Sequence, residues 1–246
     1  MLKYKTGSFL VGAVCLLAIG SYWMHVTWNH QHVSTDDAQI DTDVVPVSAH
    51  VSGQIVKVWV HDHQQIKKGD ILAEIDSREY VSKVKQAEAE LEVVKENANK
   101  RHEAEALLEQ AKLHLEGTKI IAPMTGQLSK IAVEEGQFVQ RGQWIVQVLS
   151  ESRFVIANFK ETQISLLHPG LKTKITVDAY PGMVWEGQVE SLSPATGSRF
   201  SLLPPDNATG NFVKVVQRVP VKIRLTPSAH MRELRAGLSA EVTVRF

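Results

Sequence analysis

The chain writes one unit twice. SGQIVKVWVHDHQQIKKGDILAEIDS, Ser52–Ser77, and TGQLSKIAVEEGQFVQRGQWIVQVLS, Thr125–Ser150, align without a gap at a spacing of 73 residues, and the match reaches back to Ala49 and Ala122. Eight of the 29 pairs are identical: Ala49/Ala122, Gly53/Gly126, Gln54/Gln127, Lys57/Lys130, Val60/Val133, Gln64/Gln137, Gly69/Gly142 and Ser77/Ser150. Other pairs exchange like for like, among them Ile55/Leu128, Ile66/Val139 and Ile75/Val148, as one fold unit used twice would. Within the first copy the apolar residues alternate, Val56, Val58, Val60 and then Ile71, Ala73, Ile75, the period of a half-buried strand. Gly53, Gly69, Gly126 and Gly142 are read as structural turn positions. Gly69 and Gly142 follow a basic residue between strands, where a turn can demand a positive φ that glycine adopts cheaply. One half alone would expose its apolar face, so the repeat predicts a small β-sandwich of two packed halves, 49–77 and 118–150.

Residues 78–117 separate the copies with a different period. Tyr80, Val84, Ala87, Leu91 and Val94 recur at spacings of four and three, as do Ala104, Leu108, Ala111 and Leu115, so each set forms one apolar seam on a helix. Asn97-Ala98-Asn99 interrupts the seams, Asp76 and Ser77 suit an N-cap, and Gly117 suits a stop. The expected insert is a short α-helical hairpin of two helices of about 18 residues, projecting roughly 27 Å.

Phe9–Trp28 carries no Asp, Glu, Lys or Arg and is long enough to span a bilayer as a helix. Lys3 and Lys5 precede it and no other Lys or Arg follows until Lys57, so the positive-inside bias puts residues 1–8 in the cytoplasm and the rest of the chain across the membrane. The alternative is a signal peptide cleaved near Ala18-Ile19-Gly20; both export the body of the chain. Residues 29–48 are expected to form a linker and a first barrel strand. Lys plus Arg and Asp plus Glu balance at 27 each, so no net field recruits nucleic acid.

Residues 151–246 read as strands and turns, FVIANF, KTKITVDAY, PGMVWEGQVESLSP and GLSAEVTVRF, with a short helix at TQISLLH, and an antiparallel β-barrel fits them. In Val213–Leu225 the residues Val213, Val215, Val219, Val221, Ile223 and Leu225 share one face, and Lys214, Arg218, Lys222 and Arg224 the other. The fold class expected for the whole chain is mainly β with a helical hairpin: transmembrane helix, split sandwich, hairpin insert and C-terminal barrel.

The two copies resemble the halves of a biotinyl or lipoyl domain, in which a lysine at the turn joining the halves carries the cofactor. Here about forty residues replace that turn and no lysine stands in a short hairpin between Ile75 and Ile120, so no cofactor is expected. Over nearly its full length the chain resembles the HlyD family of periplasmic adaptor (membrane fusion) proteins, above all the EmrA-type multidrug branch. The likeness rests on the apolar segment, STDDAQIDTDVVPVSAHVSGQI, the split lipoyl-like domain, TKIIAPMTGQL, and SLLPPDNATGNFVKVVQRVPVKI. The resemblance implies a non-enzymatic homo-oligomer in the inner membrane and periplasm of a Gram-negative bacterium. It would couple an inner-membrane transporter, for this branch of the major-facilitator type, towards an outer-membrane channel. A protein or peptide secretion adaptor of the same family would be built alike.

Two partner-binding regions follow. One is the hairpin tip, Asn97, Asn99, Lys100 and Arg101, where the family's arginine, leucine and serine tip pattern is missing, since Glu105 stands four residues after Arg101. The other is the barrel loop and strand, Leu203, Pro204, Pro205, Asn207, Thr209, Asn211, Lys214 and Arg218, a connection long for a barrel and therefore a functional candidate. His61-Asp62-His63 and His30-Gln31-His32 each lack a third ligand at metal-site spacing and read as exposed turns.

Overall fold

The computed structural model describes residues 32–94, 98–199, 215–228 and 230–246. The apolar run 9–28 and most of the barrel loop lie outside them. The chain divides into two compact units, Thr42–Ser152 and a second in which the strand ending at Asp41 joins Arg153–Phe246.

In the first unit, strands β2 (Val44–Ser48), β3 (Gly53–Val58), β4 (Gln65–Ile66), β5 (Ile71–Ile75), β6 (Lys119–Ile121), β7 (Gly126–Leu128), β8 (Phe138–Val139) and β9 (Trp144–Leu149) form two four-stranded sheets. Their orders are β2-β9-β7-β4 and β6-β5-β3-β8. Each sheet therefore takes strands from both copies. The halves interlock rather than stack, because the two-residue strand β4 crosses to pair with β7 and its repeat mate β8 crosses to pair with β3. Residues 44–48, expected in the linker and first barrel strand, pair with β9 in the sandwich. Shifted by 73 residues, β2 falls on β6, so the structural repeat begins five residues before the detectable one.

Hydrogen bonds repeat at the same interval. Asp62 Oδ1 accepts from Ile131 N at 2.8 Å, and Glu135 Oε1 from Val58 N at 3.0 Å. Gln54 Nε2 donates to Gly136 O and Gln127 Nε2 to His63 O, each at 2.9 Å. Lys68 N donates to Thr125 Oγ1 and Arg141 N to Ser52 Oγ. The main chain does likewise: Gly69 N reaches Ala122 O and Gly142 N reaches Ala49 O. The core consists of repeat mates, Ile55 with Leu128, Ile66 with Val139, Leu72 with Ile145 and Ile75 with Val148, all essentially sealed from solvent.

Simple alternation mislocates part of this core. The register slips between Ile55 and Lys57 and between Ile71 and Ala73, and such bulges turn the next side chain over. Ile55 is consequently buried and Val56 is 58% exposed, while Val58 and Val60 pack partly against the core. The glycines also divide into two kinds. Gly69 and Gly142 occupy turns at φ 93° and 83° with open space around them. Gly53 and Gly126 start strands instead of turns: a Cβ on Gly126 would lie 2.1 Å from Leu149 O, and one on Gly53 2.5 Å from Ile75 Cγ2.

Helices α1 (Arg78–Val93) and α2 (Ala98–Glu116) leave the sandwich between β5 and β6. Ser77 takes the N-cap position without capping through its side chain, while Asp76 Oδ1 accepts the Arg78 amide at 3.0 Å. The Arg78 side chain bonds the same carboxyl and holds it down at about 2. Gly117 ends α2 where Val51 Cγ1 and His50 Cβ leave no room for comfortable side-chain growth, at 3.2 Å from a built Cβ.

The second unit is a closed barrel of β1 (His32–Asp41), β10 (Phe154–Lys160), β11 (Lys172–Val177), β12 (Val184–Leu192), β13 (Arg218–Leu225) and β14 (Ser239–Arg245), in the order β1-β10-β13-β12-β11-β14. All neighbours are antiparallel. Alternate residues point inward, so Ile40, Val155, Phe159, Ile175, Val221, Ile223 and Val242 fill the interior. A 3-10 turn, Glu161–Leu166, stands where the short helix was expected. The face-sharing pattern of Val213–Leu225 holds from Arg218 onward; Val215 precedes the strand and is exposed.

Candidate partner-binding surfaces

The hairpin is short. At 1.5 Å per residue its helices, 16 and 19 residues, span about 24 and 28 Å. Val84, Ala87 and Ala104 are buried along the seam, and Tyr80, Leu91, Leu108, Ala111 and Leu115 are partly covered, as the apolar spacing requires. At the tip Asn97 lies outside the described residues, while Asn99, Lys100 and Arg101 belong to the first turn of α2 rather than to the connection. Arg101 Nε meets Glu105 Oε1 at 3.2 Å, so the residue that departs from the family's tip pattern ties the arginine along its own helix. Lys83 pairs with Glu79 at 2.6 Å near the hairpin base in the same i, i+4 manner.

Beside the tip is a feature that the seam spacing does not show. An open groove of about 500 Å³ is lined by Gln86, Ala89, Glu90, Val93, Glu103 and Leu107 among others. Val93 and Leu107 fall outside the four-three spacing and stand exposed. Their apolar character off the seam was the available signal.

In the barrel, Leu203, Pro204, Pro205, Asn207, Thr209, Asn211 and Lys214 lie outside the described residues. Arg218, the remaining member of that set, opens β13 and binds Asp37 at 2.9 Å. Asp37 also accepts from Asn158 Nδ2 at 3.1 Å, and Asn158 O accepts from Thr35 Oγ1 at 2.8 Å. Three adjacent strands, β1, β10 and β13, thus share one polar knot. Lys222, on the basic face, lies 4.2 Å from the centre of the Phe154 ring. Two members of the basic face, Arg218 and Lys222, are thus engaged within the barrel.

Residues 43–150 match the RND MFP barrel-sandwich hybrid domain and residues 152–245 the AAEA-like β-barrel domain. The multidrug export protein EmrA of Escherichia coli K12 is 30% identical, over 93% of this chain and 80% of that protein. That match decides the family. The chain belongs to the EmrA-type membrane fusion proteins. The colistin resistance protein EmrA of Acinetobacter baumannii is 29% identical, over 98% of this chain and 94% of its own length. That alignment runs over 334 positions against 246 residues here, so at least 88 positions (334 less 246) have no counterpart in this family member. Among solved structures, a MacA–MexA chimera bearing the Pseudomonas aeruginosa MexA α-hairpin superposes with a TM-score of 0.71 at 26% identity, covering 87% of this chain and 81% of that one. The periplasmic adaptor EmrA shares the fold with a TM-score of 0.52 at 17% identity, covering 87% and 98%.

Proposed function

We propose that this membrane fusion protein is the periplasmic adaptor of a multidrug efflux system. It is anchored in the inner membrane through Phe9–Trp28, assembles with copies of itself, and couples a major-facilitator-type transporter towards an outer-membrane channel. The observation that carries the reading is the match, over nearly the whole chain, to proteins named for multidrug export and colistin resistance. The hairpin-split sandwich supports it: a lipoyl-like platform that projects a rod in place of a lysine turn has no use as a group carrier but suits a spacer.

Barrel topology supports the transporter contact. Arg199 and Val215, which flank 200–214, stand at the barrel end where β1 begins, because β1 starts beside the end of β10 and the start of β13. That is the end from which the chain runs back towards the apolar segment. A contact made through Asn207 and its neighbours would therefore lie on the membrane side. We assign the positions absent relative to longer relatives to the hairpin, so that Asn97, Asn99, Lys100 and Arg101 meet a neighbouring adaptor before they meet a channel.

The test is photo-crosslinking in cells from position 99 and position 207, with the adducts identified by mass. Position 207 is expected to capture an inner-membrane transporter, and position 99 a second copy or a channel. Absence of any transporter adduct from 207 in an exported, full-length chain would overturn the coupling.

A further inference from the structure

We propose that the barrel end bearing His32 rests on the bilayer, apolar side chains entering the headgroup layer and basic side chains holding anionic lipid. The proposal depends on Phe9–Trp28 being a membrane anchor. Only three residues separate Trp28 from His32, and the four extended steps between them reach at most about 14 Å. Whatever this end exposes is thus held near the headgroups, whereas both peptide links to the sandwich, after Asp41 and before Arg153, leave from the opposite end.

What it exposes suits that position. Leu166 is 50% exposed, Val215 64%, Val216 47% and Phe246 48%. These belong to the 3-10 turn after β10, the approach to β13 and the residue after β14, and all three sites fall at the end where β1 starts. Exposed at the same end are Lys160, Lys172, Arg199 and Arg245, and among the described residues none of the four is ion-paired. Among the described residues Glu161, Glu190 and Asp36 are the opposing acids there, and Asp37 is occupied by Arg218. Basic groups close to a membrane are drawn to anionic lipid, and apolar side chains between them gain by entering the interface. Among the described residues the opposite end exposes two large apolar side chains, Met183 and Val184, and it carries the links to the sandwich. A barrel floating free on its tether would need no such ring of apolar and basic groups at the tethered end.

The experiment uses the full chain with Cys15→Ser, reconstituted into vesicles of phosphatidylcholine alone or with phosphatidylglycerol, and an environment-sensitive dye on Leu166→Cys, Val216→Cys or, as control, Val184→Cys. A nitroxide at the lipid headgroup should quench the dyes at 166 and 216 and leave 184 bright, more strongly with phosphatidylglycerol. Raising salt to 1 M, where the screening length falls to about 3 Å, should erase the lipid difference. Joint replacement of Lys160, Lys172 and Arg245 by Gln should do the same without unfolding the barrel, since all three are exposed.

Dyes at 166 and 216 as bright as the control, in a chain that stays with vesicles through an alkaline wash, would overturn the proposal while sparing the anchor. Loss of the chain in that wash would remove the anchor and the proposal together. Quenching equal in neutral and anionic vesicles would overturn recognition of anionic lipid. Protection of 166 and 216 in native membranes but not in pure lipid would assign the surface to a membrane protein instead.

Discussion

The two copies in the sandwich agree in their hydrogen bonds and differ in their surfaces. Asp62 and Glu135, Gln54 and Gln127, and Ser52 and Thr125 each reach across to the other copy and make the same bond in return. The outward residues are less alike: Val56, Trp59 and Ile121 in the sheet built around β3 and β5 face mates Ser129, Ala132 and Ser48. What is kept is the set of contacts by which each copy completes the other. The crossing strands β4 and β8 make neither half a folding unit alone, so a change in one copy should be felt by both.

The largest effect should come from the strand glycines, and it should be unequal. Gly126→Ala places a methyl 2.1 Å from the Leu149 carbonyl oxygen, main chain that cannot swing away. Gly53→Ala meets the Ile75 Cγ2 methyl, which can move at the cost of core packing. We expect Gly53→Ala to cost roughly 1–3 kcal/mol, the usual range for overpacking, and Gly126→Ala more, read from denaturant midpoints of the sandwich transition. Equal costs would show that main chain and side chain yield alike.

Next come the turn glycines, where the copies should be indistinguishable. Gly69→Ala and Gly142→Ala meet open space, so each should lose only the cost of a positive φ, about 1 kcal/mol. A difference between them beyond experimental error would break the repeat at its turns. Smaller still, Asp62→Ala and Glu135→Ala each remove one solvent-exposed hydrogen bond to the other copy and should cost about 0.5–1 kcal/mol apiece. The double variant tests whether the copies act as one unit: a cost differing from the sum would reveal coupling.

The smallest effect has the opposite sign. His63 sits at φ 63° where its mate Gly136 sits at φ 86°. Relief of the left-handed strain outweighs the greater chain entropy of glycine by little, so His63→Gly should stabilise by about 0.5 kcal/mol, visible as a small rise in the thermal midpoint.

Legibility in the sequence followed the physics of each element. The hairpin seam was readable because Val84, Ala87 and Ala104 obey a helical period that nothing else disturbs. The repeat was readable wherever a core mate had to stay apolar. Strand β2 was not, because Val44–Ser48 and Lys119–Ile121 pair through main chain and only Val47 and Ile120 must both be apolar. Bulges at Val56 and Leu72 are invisible to an alternation rule, which assumes that every residue turns the strand over once. The ion pair of Arg101 with Glu105 was not read from the sequence, which placed Arg101 at the tip; it forms because α2 begins at Ala98 and sets the two residues one turn apart.

Whether the hairpin-split sandwich serves as an efflux adaptor is decided by drug tolerance in a strain lacking its own copy. The full chain should be compared there with one in which residues 78–117 are replaced by a short glycine linker. Ile75 N donates to Thr118 O at 2.8 Å, so such a linker can close the gap without disturbing either sheet. The full chain should restore tolerance, and the shortened chain, folded and present in the membrane at equal amount, should not. Equal tolerance from both, or none from the full chain alongside its transporter, would contradict the adaptor role.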